Sequence, residues 1–135
     1  MDTLHKNVTK FFGEMLNDLE CQTDTKAYIV SIFGKYQSAE FDLSKDSVTT
    51  LFSQAQSKRD FLTYQNLGDW IFFINTIAPA HLHFASKDYY DTVARFSYYS
   101  CYRLINKQWK LFEELSDNFL RLEKQVKNKL GMILI

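Results

Sequence analysis

Leu4, Val8, Phe11, Phe12, Met15 and Leu19 recur mostly three and four residues apart, with Lys6, Lys10, Glu14 and Asp18 between them. One apolar stripe on a helical face predicts an opening helix. Cys21 to Thr25 interrupts the pattern, and Thr23 or Asp24 is placed to cap the next segment. In Lys26 to Gln37 the consecutive Ala27, Tyr28, Ile29 and Val30 would also suit a strand. The i, i+4 pairs Tyr28/Ile32, Ile29/Phe33 and Ile32/Tyr36 decide for a helix. Ser38 to Ser44 reads as a polar connector, and Ser44 or Asp46 opens a third helix to about Lys58 with thin apolar content.

Arg59-Asp60 marks a joint. The fourth helix carries Phe61, Leu62, Tyr64, Leu67, Trp70, Ile71, Phe73, Ile74 and Ile77, apolar around most of its circumference, which predicts a helix surrounded by others. Pro79 stops it, since its ring cannot continue the hydrogen-bond ladder. Ser86 or Lys87-Asp88 opens a fifth helix with two apolar faces. The last pattern, Phe112, Leu115, Phe119, Leu122, Val126 and Leu130, is the cleanest stripe of all. Gly131 is placed to end it, leaving the apolar tail Met132-Ile133-Leu134-Ile135. The expectation is an all-α fold: one domain over residues 1–135, a bundle of about six helices.

Composition supports that picture and narrows the function. Aromatics reach 16% while the chain holds four Gly and one Pro, which suits long helices around an aromatic core. Sixteen basic residues balance sixteen acidic ones, so no nucleic-acid partner held by bulk charge is expected. The densest apolar run, Trp70 to Pro79, is interrupted by Asn75 and Thr76 and falls far short of the roughly 20 residues that span a bilayer. No membrane partner is expected. Cys21 and Cys101 are the only thiols, two isolated cysteines read as free, and Met1 to Lys10 is too polar for a signal peptide. Together these predict a cytoplasmic protein.

Candidate chemistry is sparse. No phosphate-cradling glycine loop, nucleophile elbow, zinc-finger spacing or paired-histidine metalloprotease motif occurs. His81 and His83 are the candidate metal ligands, because imidazoles at i, i+2 converge in an extended segment. A third and fourth ligand are not evident, and loop histidines are the simpler reading. Gly68-Asp69 lies inside an apolar helix. Asp69 there is either a general base of raised pKa or a hydrogen-bonded hub, with tyrosines, Arg95 and Arg103 as available donors. The hub is preferred. Tyr89, Tyr90, Tyr98, Tyr99 and Tyr102 place five phenols on one helix, suited to core and interface packing. If a pocket exists between the fourth and fifth helices, Asp69, Trp70, Tyr89 and Tyr90 are its candidates.

Three stretches stand in a telling order: Phe11-Phe12-Gly13-Glu14-Met15-Leu16 with Tyr28-Ile29-Val30; then Leu67-Gly68-Asp69-Trp70 through Phe72 to Pro79 and Leu82; then Asp88-Tyr89-Tyr90 with Ser100, Tyr102 and Leu104. With the closing Leu111-Phe112-Glu113-Glu114-Leu115 and Phe119, they resemble a family of uncharacterised bacterial helical proteins. In that family a Leu-Gly-Asp helix precedes a Phe-Pro turn and a Tyr-Tyr helix. The family pattern carries a small residue roughly where Ala94 or Arg95 stands, and this chain is bulkier there. The resemblance implies an all-helical bacterial domain and no assigned activity. The functional expectation is a non-enzymatic domain without cofactor that acts through protein–protein contact, self-association above all. The alternative is a small-molecule binder or enzyme around Asp69 and Tyr89.

Overall fold

In the computed structural model, which describes residues 3–36, 45–79, 85–105 and 110–134, the periodic segments form seven helices. They are α1 (Thr3–Met15), α2 (Thr23–Tyr36), α3 (Lys45–Lys58), α4 (Phe61–Ile77), α5 (Lys87–Leu104), α6 (Lys110–Asp117) and α7 (Phe119–Leu134). No strand occurs among the described residues, and the fold is an all-α bundle. No described helix is long and apolar enough to cross a membrane.

The centre of the bundle is α4, and its composition explains why. Leu67, Trp70, Ile71 and Phe72 are each 1% exposed or less. A helix with that much apolar circumference has to be enclosed, and α2, α3, α5 and α7 all pack on it. Full burial of one such side chain is worth about 1.5–3 kcal/mol, against roughly 1–2 kcal/mol to order the backbone of one residue. The most extensive pairing is α4 with α5. On the far side, α6 packs against α5 and α2, and α7 closes on α4.

The helix ends follow local chemistry. Asp60 caps α4: its carboxylate accepts from the Leu62 amide at 3.2 Å and the Thr63 hydroxyl at 2.7 Å. Ala78 ends that helix one residue before Pro79. Ser86 caps α5 by accepting from the Tyr89 amide at 3.2 Å. Cys21 and Cys101 are free thiols.

Four boundaries differ from expectation. α2 begins at Thr23, so Thr23 and Asp24 are helical and the Lys26 amide bonds back to the Gln22 carbonyl at 3.0 Å. Asp24 then sits in the first turn, where a carboxylate favours the helix dipole. α1 ends at Met15, although Leu19 in the following turn is still buried at 4%.

The expected final helix is two. Phe112, Leu115, Phe119, Leu122, Val126 and Leu130 are all buried as the stripe requires, but the helix breaks at Asn118. The Arg95 guanidinium donates to the Ser116 carbonyl at 3.1 Å while the Ser116 hydroxyl donates to the Arg95 carbonyl at 2.9 Å. That reciprocal pair draws a backbone acceptor out of the ladder at the break. Finally, Gly131 does not terminate α7, whose backbone continues through Leu134. A glycine costs a helix about 1 kcal/mol but does not forbid it, and no proline follows. The side chains of 132–134 and Ile135 lie outside the described residues, as do His81, His83 and the connector at 37–44.

Candidate functional site

Asp69 sits on the α2 and α5 side of α4, with its side chain 4% exposed. The Tyr28 hydroxyl, from α2, reaches both carboxylate oxygens, at 2.7 and 2.8 Å. The Tyr98 hydroxyl, from α5, donates to one of them at 2.9 Å. Lys35 approaches to 3.7 Å, and Gln65 donates to the Tyr28 oxygen at 2.9 Å. Gly68 makes the approach of α5 possible. A Cβ on it would stand 2.8 Å from two ring carbons of Tyr98. The absence of that one carbon lets Tyr98 cross the backbone of α4 and reach the carboxylate beside it.

The electrostatics of this hub are dominated by burial. Burial pushes the Asp69 carboxyl up to about 6, against the pull of the two phenols and Lys35. Tyr28 and Tyr98 are both raised, first by burial and then by the charge of Asp69. A phenol that serves as base or nucleophile has to ionise readily, and these are held in the neutral form. Cys101 is raised too, by burial and by Asp69, which makes it a poor thiolate.

A second buried polar cluster joins α4, α5 and α7. The Asn75 amide donates to Asp91 at 3.0 Å and to Glu123 at 2.9 Å. Lys87 bridges the same two carboxylates from the other side, at 2.6 and 2.9 Å. Burial works against the ammonium, yet its two carboxylate partners leave the Lys87 pKa raised. The ring of four satisfies both buried acids. Among the described residues, no group of three or more His, Cys, Asp or Glu side chains is arranged to hold a metal ion.

The outer face of α5 is built differently. Phe96, Tyr99, Ser100 and Arg103 follow one another at helical spacing, and Phe96 and Tyr99 remain 45% and 44% exposed. Phe52 of α3 meets Phe96 edge-on, ring centroids 5.5 Å apart, and Tyr64 of α4 lies 6.5 Å from it. Between them is a depression of about 210 Å³ lined by Tyr64, Phe96, Tyr99, Leu104, Arg59 and Arg103.

Arg59 takes part through an unusual backbone. Its φ is 52°, the left-handed conformation that commonly follows a helix and usually belongs to glycine. The Asp60 amide bonds back to the Ala55 carbonyl at 3.2 Å, which completes the C-terminal cap of α3. An arginine in this position carries strain of about 1–2 kcal/mol that glycine would not. Neither Arg59 nor Arg103 meets a carboxylate within ion-pair distance among the described residues.

A scan against protein-family models finds no match, and searches of curated proteins and of solved structures find none.

The residues singled out from sequence are distributed rather than gathered. Asp69 forms the hub. Trp70 and Tyr90 are core residues, 1% and 0% exposed. Tyr89 hydrogen-bonds Thr49 of α3 at 2.7 Å, roughly 13 Å along α5 from Tyr98 at 1.5 Å per residue. The described contacts do not bring Asp69 and Tyr89 together. His81 and His83 lie outside the described residues. Arg95 and Arg103, possible donors to Asp69, go elsewhere, and Tyr28 takes that role from 41 positions away. Asn75, which in sequence only interrupts an apolar run, proves to be the bridge between two acids. For the depression the sequence shows only the joint at Arg59-Asp60 and not the left-handed backbone of Arg59.

Proposed function

We propose that this chain is a non-enzymatic domain that works through protein–protein contact, with itself or with another chain, and that the outer face of α5 is the contact surface. The observation that carries the reading is the pair of half-exposed aromatics Phe96 and Tyr99 around an apolar depression, rimmed by arginine. Tyr, Phe and Arg at the centre of a surface patch are the composition of interface anchors. The same aromatics in a chain with no partner would leave apolar area in water at about 25 cal/mol per Å². The hub reading of Asp69 is supported by its side chain being 4% exposed and by its phenolic partners being held neutral. The described contacts join Asp69 to Tyr28 and Tyr98 and Tyr89 to Thr49, so they do not unite Asp69 and Tyr89 in one pocket. In keeping with its two free cysteines, the domain is proposed to be cytoplasmic.

Sedimentation velocity between about 1 and 100 µM is the test. Concentration-dependent association that Phe96→Ser with Tyr99→Ser abolishes assigns the face to a second copy. A monomer whose face binds an aromatic-anchored peptide assigns it to another chain. A monomer that binds no such peptide overturns the reading.

A further inference from the structure

The depression between α3, α4 and α5 has a definite size and charge. A cavity of about 150 Å³ lined by apolar side chains accommodates benzene, so about 210 Å³ takes one phenyl or phenol ring and little more. That is smaller than the roughly 300–1,000 Å³ usual for a small-molecule pocket, and Phe96 and Tyr99 in its wall are half-exposed. The volume fits a single side chain delivered by a partner.

Charge restricts the partner further. Arg59 and Arg103 both line the depression, both are exposed, and neither has a carboxylate partner among the described residues. The left-handed backbone of Arg59 keeps a side chain at a point where glycine would cap α3 without strain. Pairing of two copies about a two-fold axis through the depression would set these arginines against their own counterparts. No lining residue is a carboxylate that could offset the repulsion.

Resting on the reading of α5 as a contact surface, we infer that the partner is another chain presenting an acidic segment with one aromatic anchor. The ring enters between Phe96, Tyr99 and Tyr64, and carboxylates on either side of it pair with Arg59 and Arg103. Arginine forks hold carboxylates with two parallel N–H donors, so the pairing fixes orientation as well as affinity.

Fluorescence anisotropy with three labelled peptides tests this. One has a phenylalanine between two pairs of glutamates, one replaces the phenylalanine with alanine, and one replaces the glutamates with glutamines. The first should bind at least about tenfold more tightly than either control, and its affinity should fall as salt is raised. Arg103→Gln and Arg59→Gly should each weaken it about fivefold or more. Arg59→Gly relieves backbone strain, so its melting temperature should be no lower than the parent's, and lost binding cannot be blamed on lost folding.

Equal binding of the glutamine peptide, or of the alanine peptide, would overturn the inference. So would indifference to both arginine substitutions. Should all three peptides fail while Phe96→Ser with Tyr99→Ser abolishes self-association, the acidic partner is refuted and the contact surface stands. Failure of both leaves neither.

Discussion

Gly68→Ala is the smallest change that probes how α4 and α5 meet. The new methyl carbon would lie 2.8 Å from two carbons of the Tyr98 ring and 3.0 Å from a third, where ordinary contact begins near 3.5 Å. Tyr98 has nowhere to go. It is 0% exposed, with the rings of Phe112 and Phe119 each 6.2 Å away by centroid, and its hydroxyl is committed to Asp69 at 2.9 Å. Overpacking of this kind costs about 1–3 kcal/mol. Lengthening a bond to a charged acceptor adds up to about 1.5–3 kcal/mol, against a gain of about 1 kcal/mol from replacing glycine within a helix. The expected net loss is about 2–4 kcal/mol.

Gly13→Ala and Gly131→Ala are matched controls, since nothing lies within 4 Å of a Cβ at either. Both should be neutral or stabilising by up to about 1 kcal/mol. Urea unfolding followed by circular dichroism compares the three midpoints. In a Tyr98→Leu background the penalty of Gly68→Ala should shrink by more than about 1 kcal/mol, since the coupling runs through the ring. A Gly68→Ala protein that unfolds with the parent, or gains like Gly13→Ala, would refute the reasoning.

Further outcomes follow from the polar groups. The folded-state pKa of Asp69, raised from 3.8 to about 6, means its protonated form is favoured by folding. Its stabilising contribution is therefore present below about pH 3.8 and lost as pH rises through about 6, a change of about 3 kcal/mol. Asp69→Asn should remove that slope from urea midpoints measured between pH 4 and 7.5; an unchanged slope would assign it elsewhere. Lys87→Met leaves Asp91 and Glu123 buried without their cation and should cost about 2–4 kcal/mol, reduced from the fully buried case because the ammonium is half-exposed. A loss under 0.5 kcal/mol would show that Asn75 and solvent suffice. Arg59→Gly should raise stability by about 0.5–1 kcal/mol in the same assay. A drop would show that the left-handed cap is not strained.

How much of this was legible in the chain depends on the range of the interaction. The stripe from Phe112 to Leu130, the Ser86 cap and the Pro79 stop are local, and each is where its spacing or chemistry puts it. The break at Asn118 was not legible, because it follows from bonds between Ser116 and Arg95, 21 positions apart. A glycine at 131 reads as a stop only if other costs join it, and none do. Asp69 among apolar neighbours announces a buried carboxylate that needs donors. Nothing nearby in sequence identifies Tyr28 as one of them. Arg59 shows the reverse case: the joint was visible, whereas its left-handed backbone and its place in a depression depend on how α3, α4 and α5 converge.

The docking of an acidic, aromatic-anchored partner on this face is tested most directly by a proton–nitrogen NMR titration of the full chain with the glutamate–phenylalanine peptide. Amide shifts should change at 59–64 and 96–104, the segments that line the depression, and remain unchanged in α1 and α7. Arg103→Gln should suppress the changes without altering the free spectrum beyond its own neighbourhood. Shifts centred on another face, or a spectrum that the peptide leaves untouched, would contradict the account.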